Sequence, residues 1–480
     1  MYSLMHQIIT EKDLQRQVTL IELLLNHPKI TVNELAEETN TTERTIFSDL
    51  QVIRSQLPDG WLIDSDQSGI RLLNQKNLLA NDLWELFLKQ SVSVQLIKEL
   101  LFTKECSTTN FLAVNGLSYE TLKRHTRKVN RQLLRYGLQI KLTKYTSTMS
   151  GSENAIRLFY HRLLMPFTHN NYFFEDYSIH ESHYFRFLKR LKQTPFSVET
   201  EEIFGICWFF INTIRVKANC RIKDSFFKPE DTLYSTYATE LTELYELEGV
   251  YLQKDELIFA FFCFLESWNY NNQYQEPVAD ILQSYPFSGK IKQFVQDLAD
   301  TLHLEKLNET KLADNLILLL LKYHESSILI EQLNLQYHYF LEEYEQQYPQ
   351  LYPFKQELLE QLKQELPIQE DEYFLRLLSF LIQQAILSVR PNKLNLYFFF
   401  HGEPSWKAFL QQELNDYFGK RVQLIPVELS QLSDITFHKN DLFVSNTPLD
   451  QVPIPIIYIS TIPTKNELDQ LTELTFRSYL

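Results

Sequence analysis

The feature that most restricts the fold of this chain is an order of elements that occurs twice near its start. In the first copy, an amphipathic helix over residues 12–26 is followed by a short helix that Thr31 and Glu34 open as a capping box. A turn leads to a third helix over residues 41–57, and residues 61–73 then alternate between apolar and polar side chains, as a hairpin does. This order is typical of a winged helix-turn-helix domain.

The second copy repeats the order with a more basic third helix. Residues 92–101 and 107–113 predict two helices, residues 118–136 a third that begins at an N-cap serine, and residues 138–149 a second wing. On a helical period, one face of the third helix is apolar or small, and we expect it to be buried. That face consists of Leu122, Thr126, Val129 and Leu133.

Positive charge is concentrated on this third helix. It holds one acid, Glu120, and the basic side chains are Lys123, Arg124, His125, Arg127, Lys128, Arg131 and Arg135. Residues 1–160 carry 19 Lys+Arg and 17 Asp+Glu, whereas the whole chain has a net charge of −15. The asymmetry favours a first third that binds nucleic acid and an acidic body with another task. A merely solvated charged face is the alternative.

The exposed faces of the two third helices, together with the second wing, are the candidate contacts with double-stranded DNA. Their polar and cationic side chains would bind phosphates and read base edges in the major groove. The candidates are Arg44, Thr45, Ser48, Gln51, Lys123, Arg124, Arg127, Lys128, Arg131, Lys141 and Lys144. For the first motif, the alternative is a solvated helical hairpin.

Length and composition set the class of protein. At 480 residues and 44% hydrophobic side chains, the chain predicts about three to five domains. Ten glycines are too few to favour glycine-rich phosphate loops, and the four cysteines form no CxxC pair. Without a signal peptide or a long apolar run, we expect a reduced, cytoplasmic protein that contacts no membrane. No catalytic constellation is visible, so we expect no enzyme activity and no cofactor.

The rest of the chain predicts helical bundles followed by a small α/β domain. Residues 166–390 are rich in Phe, Tyr and Leu, and the helix that begins at Asp255 resembles the one that begins at Asp371. From residue 391 onward, short apolar strands alternate with helices, which predicts a parallel sheet. The fold class is therefore multidomain and mainly α.

The run LAEETNTTERTIFSDL resembles the helix-turn-helix of DeoR and antiterminator-like regulators, and the order of parts resembles the Mga/AtxA family of bacterial transcription regulators. The resemblance implies a regulator, by family an activator, that binds DNA and self-associates through its C-terminal half. It also implies phosphorylation by the general phosphocarrier of the sugar phosphotransferase system (PTS). The implied domains are two tandem winged helix-turn-helix domains (1–75 and 76–165), two PTS-regulation-like helical bundles (166–285 and 286–390) and an enzyme IIB-like α/β domain (391–480).

Several residues depart from what this resemblance implies. A PTS-regulation domain carries one histidine in an early helix and one in a late helix, and the first bundle has Trp208 and Cys263 there instead. The second bundle has Ser379 at its late position, so only His324 is a candidate for regulatory phosphorylation. A histidine satisfied inside the bundle is the alternative. Residues 400–405 lack the cysteine of an enzyme IIB loop, which predicts a structural or dimerising domain.

Two other classes of function stay open. A phosphocarrier in a sugar-uptake relay would use His324, with His401 as a weaker candidate. A helical scaffold that binds only proteins would not depend on Arg124 and Arg127.

A metal site is not predicted. His180 and His183 have a spacing found in such sites, but the carboxylate nearest to them in sequence is Glu181 and no cysteine lies close by.

Overall fold

The structure of the protein is a computed structural model. It describes residues 3–66, 68–170, 174, 179–223, 230–270, 274–325, 351–363, 371–389, 394–402, 404–418, 422–428, 432, 435–438, 441–449 and 452–479. The chain divides into two compact units, Met1–Ser288 with Ile317–Gln336, and Gly289–Leu316 with Tyr337–Leu480. Within the described ranges, no helix has both the length and the apolar character needed to cross a bilayer.

The first unit begins with the predicted helix-turn-helix and wing. Its elements are α1 (Ser3–Ile8), α2 (Lys12–Asn26), α3 (Val32–Glu38), α4 (Glu43–Gln56), β1 (Trp61–Asp66) and β2 (Gly69–Asn74). The capping box is confirmed, because the Glu34 carboxylate accepts a hydrogen bond from the Thr31 backbone N–H at 2.7 Å while the Thr31 hydroxyl caps Glu34. The antiparallel β1–β2 hairpin is held against the turn before α3 by backbone hydrogen bonds between Ile30 and Ile70 of 2.8 and 3.0 Å.

A second helix-turn-helix with a wing follows. Its elements are α5 (Asn81–Leu88), α6 (Val92–Phe102), β3 (Cys106–Ser107), α7 (Thr108–Asn115), α8 (Tyr119–Leu133), a 3-10 turn (Leu134–Tyr136), β4 (Gln139–Leu142) and β5 (Thr146–Ser150). Ser118 caps α8 by accepting a hydrogen bond from the Thr121 N–H at 3.2 Å. The predicted inner face is confirmed by the burial of Leu122, Thr126, Val129 and Leu133. The strand β3 pairs with β5. It was not predicted, because two residues are too few to show an alternation of apolar and polar side chains.

The helical body of the first unit is built on two almost completely buried helices. Its elements are α9 (Glu153–Leu164), a 3-10 turn (Met165–Asn170), α10 (Glu181–Leu191), α11 (Glu202–Lys217), α12 (Thr232–Glu246), α13 (Lys254–Glu266) and α14 (Glu276–Gln283). Ser152 caps α9 through a 3.2 Å hydrogen bond from the Ala155 N–H. Residues 205–216 of α11 are all buried, and 258–266 of α13 are too, as expected for helices that are apolar on every side.

Among the described residues, four further helices follow α14 along the chain before the terminal sheet begins. The helical elements are α15 (Ser288–Leu302), a 3-10 turn (Glu305–Glu309), α16 (Leu312–Glu325), α17 (Leu351–Lys363) and α18 (Asp371–Val389). The helices α13 and α18 contain the two similar runs of the sequence.

The end of the chain forms the parallel α/β arrangement that alternating strands and helices predict. Its elements are β6 (Leu394–Phe399), α19 (Pro404–Phe418), β7 (Val422–Pro426), β8 (Leu442–Ser445), β9 (Ile456–Tyr458) and α20 (Lys465–Tyr479). The four strands are all parallel, in the order β7-β6-β8-β9. Leu396 and Phe398 are buried on one face of β6 and Tyr397 on the other, because such a sheet is covered on both sides.

Candidate nucleic-acid interface

One face of α4 is polar and open to solvent. Arg44, Ser48 and Gln51 are exposed on it. Thr45 is half-buried, and its hydroxyl lies 2.9 Å from the hydroxyl of the N-cap residue Thr42. Of the four α4 residues predicted to contact DNA, three therefore face solvent, while Thr45 helps to begin the helix.

An aromatic side chain lies on the same face. Phe47 is 54% exposed and follows directly on the buried Ile46. The sequence prediction did not include Phe47 as a functional residue. The available signal was its position outside the buried stripe of Ile46, Leu50 and Ile53, since a large apolar residue there has no core to enter.

A buried carboxylate fixes the opposite side of α4. Asp49 is only 5% exposed, and the Arg16 guanidinium lies against it with Nη2 at 3.1 Å from Oδ1. The Gln17 side chain donates to the same oxygen at 3.2 Å. The hydrogen bond with Asp49 raises the pKa of Arg16. These contacts join α2 to α4 and determine which face of α4 is presented to solvent.

Three arginines form a row on the exposed face of α8, which we call the arginine crest: Arg124, Arg127 and Arg131. They lie opposite the buried stripe of the helix and are exposed. Among the residues that the structure describes, none of their guanidinium groups has a hydrogen-bond or ion-pair partner. Guanidinium groups bind phosphate through paired hydrogen bonds, so this row is suited to the backbone of a nucleic acid.

Two of the lysines on α8 that were predicted to contact DNA interact with other groups of the protein. Lys128 is half-buried, and its Nζ donates to the backbone carbonyl of Thr10 at 2.7 Å. Lys123 is also half-buried, with Nζ at 3.9 Å from the Glu120 carboxylate and 5.9 Å from the centre of the Tyr119 ring. The helical period places Lys128 on the outward face. The structure differs because the segment joining α1 to α2 packs against that side of α8.

The second wing presents two lysines and a tyrosine. Lys141 and Lys144 are exposed, and a 2.8 Å hydrogen bond from the Thr143 N–H to the Thr146 carbonyl closes the turn that contains Lys144. Tyr145 at the tip is 74% exposed and was not predicted as a functional residue. An aromatic residue in a hairpin tip, outside the alternating pattern, was the signal. The wing thus combines positive charge with a side chain able to stack or wedge.

A set of buried polar contacts, here the polar joint, links the first helix-turn-helix domain to the second. The Glu11 carboxylate accepts hydrogen bonds of 2.9 Å from both the Val92 N–H and the Ser91 hydroxyl. The Thr10 hydroxyl lies 2.6 Å from Nδ1 of His125 on α8. Burial lowers the pKa of His125, while the charge of Glu11 acts in the opposite direction. The polar joint contacts α8 on the side that does not face solvent.

An ionic network attaches α9, which follows the second wing, to α11 and α13. Both terminal nitrogens of Arg157 donate to the Glu256 carboxylate, at 2.7 and 2.9 Å, and both side chains are almost fully buried. Glu153 accepts hydrogen bonds from Arg157 at 3.1 Å and from Arg215 at 2.8 Å. The network spans α9, α11 and α13, and sequence periodicity did not reveal it because its members are up to about a hundred positions apart.

The residues at the two expected histidine positions of the first bundle belong to the core. Trp208 and Cys263 are 1% and 2% exposed. Trp208 donates to the Glu266 carboxylate at 2.7 Å and stacks on His161 with ring centres 4.1 Å apart. Burial raises the pKa of the Cys263 thiol well above its ordinary value. Neither side chain is an accessible phosphoryl acceptor.

Ser379 and His324 occupy the corresponding positions later in the chain. Ser379 is buried and accepts a hydrogen bond from Lys355 Nζ at 2.7 Å. The backbone of His324 belongs to α16, but its side chain lies outside the described residues. His401 is exposed after β6, and its N–H donates to the Asn446 side chain at 2.8 Å.

Among the residues that the structure describes, one cluster could hold a divalent metal ion. His180, His183 and Glu248 bring ligand atoms within 4.8 Å of one another. The Glu248 carboxylate, which is nearly buried, already accepts hydrogen bonds from the His180 N–H at 2.9 Å and from His183 Nδ1 at 2.8 Å. The sequence prediction considered only Glu181 beside this pair. Glu248 follows α12, some 65 residues later, and was therefore missed.

Comparison with protein families identifies both helix-turn-helix segments. A model described as the M protein trans-acting positive regulator (MGA) HTH domain matches residues 11–69, which contain α2 to α4 and most of the first wing. A model described as the Mga helix-turn-helix domain matches residues 76–164, which contain the arginine crest and α9. A third model, described as a non-canonical single-stranded DNA-binding domain, matches residues 285–388.

The chain is also similar to a protein of Streptococcus pneumoniae serotype 4 named "Putative trans-acting regulator". The two are 28% identical over 173 residues, which is 36% of this chain and 34% of that relative. The match thus spans about a third of the relative's length. The chain thus carries two Mga-type helix-turn-helix domains in tandem, at the positions where the structure has its helix-turn-helix elements, and it is similar there to regulators of the Mga family.

Proposed function

We propose that this protein regulates transcription by binding double-stranded DNA through α4, α8 and the second wing. The arginine crest carries the proposal, because three exposed guanidinium groups without a partner in the described part of the chain lie inside the Mga-matching segment. Arg44 and Gln51 on α4 would read a neighbouring groove, and Lys141 and Lys144 would contact backbone phosphates. Activation as the sense of regulation and a cytoplasmic location are part of this proposal.

The test is the salt dependence of DNA binding. Each phosphate that a protein neutralises contributes about −0.9 to the slope of log affinity against log salt concentration. We expect Arg124→Glu/Arg127→Glu to weaken binding to all duplexes and to flatten this slope by about 2. Fluorescence anisotropy on a labelled genomic fragment, measured from low to physiological salt, gives both quantities.

A matched control is available on α10. Arg186 and Lys189 are exposed with the same spacing as Arg124 and Arg127. Arg186→Glu/Lys189→Glu changes the net charge equally and should leave the slope unchanged. Equal effects of the two double variants would reduce the arginine crest to a general charge effect, and a wild-type slope equivalent to one or two phosphates would remove the proposal.

The charge of the segment that matches the single-stranded DNA-binding model does not favour binding to nucleic acid. Residues 285–388 contain 8 Lys+Arg and 16 Asp+Glu, and such a net negative charge opposes binding to a phosphate backbone. The proposal therefore assigns duplex binding to the helix-turn-helix domains and leaves residues 285–388 a separate role, supported by the model match alone.

Regulation by PTS phosphorylation, and self-association through the C-terminal half, complete the proposal. His324 is the one expected histidine position that still holds a histidine, whereas Trp208, Cys263 and Ser379 occupy the others. Incubation with labelled phosphoenolpyruvate, enzyme I and the general phosphocarrier should transfer acid-labile phosphate that His324→Ala does not accept. Equal labelling of the wild type and His324→Ala would place the phosphate elsewhere, and no labelling would remove this form of regulation.

A further inference from the structure

A cavity of about 470 Å³ lies where β5, α9, the end of α6 and the segment after α11 meet. Lys104, Gly151 and Ser152 line it from the segment that matches the Mga helix-turn-helix domain, and Arg221 and Lys223 line it from the helical body. Small-molecule sites in proteins typically have volumes of about 300–1,000 Å³. The cavity therefore has room for a metabolite, and its wall is shared by two parts of the first unit.

The charges around the cavity are unbalanced. Its acid, Glu153, is satisfied by the guanidinium groups of Arg157 and Arg215, which donate at 3.1 and 2.8 Å. Lys104, Arg221 and Lys223 also line the cavity, and within the described ranges none of the three has a hydrogen-bond or ion-pair partner. Three cationic side chains thus line a concave surface whose carboxylate, Glu153, is already paired.

Arg221 gives the most specific indication of a missing partner. Its Nη1 is buried, and the described residues offer it no hydrogen bond. A buried guanidinium N–H that makes no hydrogen bond costs free energy, so such groups in proteins are normally paired with a carboxylate, a carbonyl, water or a bound anion. The first turn of α9 lies at the same cavity, and the N-terminal end of a helix favours negative charge.

We propose that this cavity binds a small phosphate-bearing metabolite through Lys104, Arg221 and Lys223. Phosphate is the favoured class because it offers several acceptor oxygens at once and can satisfy a guanidinium group and two ammonium groups together. A concave site of this size also selects a small molecule over the continuous backbone of a duplex, which requires an open path along the surface.

The position of the cavity gives binding a regulatory consequence, and this step rests on the proposed function. Ser152 and Glu153 begin α9 directly after the second wing, while Arg221 follows α11 of the helical body. An anion that contacts both sides would stabilise one arrangement of wing and body. DNA affinity would change with ligand concentration only to the extent that the two states bind DNA differently.

Ligand binding is tested on the full chain without DNA, so that failure of DNA binding would not affect the result. Isothermal titration and thermal shift would use pyrophosphate and glucose 6-phosphate as probes, with uncharged glucose as the comparison. We expect both phosphates to bind and to raise the Tm, and glucose to do neither. Lys104→Gln/Arg221→Gln should weaken binding about 10- to 100-fold, as expected for losing hydrogen bonds to a charged group.

Two further variants keep the test decisive. Lys223→Gln changes an exposed side chain, so it retains a folded protein even if the double variant does not, and it should also weaken phosphate binding. Arg186→Gln/Lys189→Gln on α10 should leave it unchanged. The proposal is overturned if neither phosphate binds at millimolar concentration, or if the cavity variants bind as tightly as the wild type. Loss of DNA affinity in the cavity variants, with no phosphate binding by the wild type, would instead assign these cations to the DNA backbone.

Discussion

Phe47 adds a different kind of contact to a surface made mainly of polar and charged groups. It is 54% exposed on α4, on the same face as the exposed Ser48 and Gln51. Phosphate contacts carry no sequence information, whereas an apolar side chain in the major groove can pack against the methyl group of thymine. Phe47 is therefore a candidate for a side chain that discriminates between DNA sequences without adding to the electrostatic attraction for phosphates.

We expect Phe47→Ala to reduce affinity for the preferred duplex by about 1–2 kcal/mol, since part of one aromatic side chain loses its burial. The salt slope should stay unchanged, because no phosphate contact is lost. Anisotropy titrations on the preferred and on a scrambled duplex measure both effects. Leu25→Ala, at an exposed position of α2, is the matched control. An equal loss on both duplexes would assign Phe47 to general affinity instead.

Lys322 places an amine inside the first unit, where it is buried. Its Nζ donates to the Trp268 carbonyl at 2.5 Å and lies 4.4 Å from the centre of the Tyr270 ring. Burial lowers the pKa of Lys322 from 10.5 to about 7. Between these two values the unfolded chain holds a proton that the folded chain has released. The free energy of unfolding therefore rises as pH increases from about 7 towards 10.5.

The contribution of Lys322 can be isolated by substitution. Lys322→Met removes the titrating group. The free energy of unfolding of this variant should therefore not rise across this pH window as that of the wild type does. Urea titrations followed by tryptophan fluorescence at several pH values measure the difference. Lys189→Met changes an exposed lysine and should keep the wild-type pH dependence. If Lys322→Met keeps the same rise, another group is responsible for it.

At the scale of one element, α8 illustrates what a sequence can and cannot predict. Its N-cap, its buried stripe and its arginine crest follow from residues within a few turns of one another, and periodicity places them correctly. Periodicity predicted that Lys128 faces outward, but its Nζ binds the Thr10 carbonyl. That partner is 118 positions away, so no local pattern could reveal it. Glu248 and β3 were missed for related reasons: the first depends on a distant contact, and the second is too short to show alternation.

The helix α9 depends on long-range contacts to an even greater degree. Its Arg157 forms two hydrogen bonds with Glu256, and both side chains are almost fully excluded from solvent. Removing one partner of such a pair leaves an uncompensated buried charge, which typically costs about 3–5 kcal/mol. Replacing both partners together can leave the free energy of unfolding almost unchanged.

We expect Glu256→Gln to lower the free energy of unfolding by about 3–5 kcal/mol, and Arg157→Met to have a similar effect. The double variant should lose less than the sum of the two. Urea unfolding of all four proteins completes the cycle. The exposed pair Lys192 and Glu202, 4.0 Å apart, is the control and should contribute at most about 1 kcal/mol. Additive losses in the buried cycle would show that Arg157 and Glu256 act independently.

At the scale of the whole first unit, buried polar groups connect the proposed DNA-binding surface to the interior. The polar joint lies behind α8, and the ionic network of Arg157 and Glu256 anchors α9 after the second wing. The proposed phosphate cavity lies between α9 and the segment that follows α11. These contacts are the physical links between the helical body and the elements that would contact DNA.

The polar joint allows a test of whether the two helix-turn-helix domains bind DNA as a single unit. Two linked modules bind a long duplex more tightly than either alone only if their geometry lets both engage. Glu11→Ala removes the acceptor of the Val92 N–H and the Ser91 hydroxyl, so the two domains should lose their fixed arrangement. We expect affinity for a duplex long enough for both domains to fall about tenfold, while affinity for a duplex that fits one domain stays unchanged. Asp13→Ala, at an exposed position two residues away, should alter neither. Equal affinities of wild type and Glu11→Ala on the long duplex would mean that the two domains bind DNA independently of the joint.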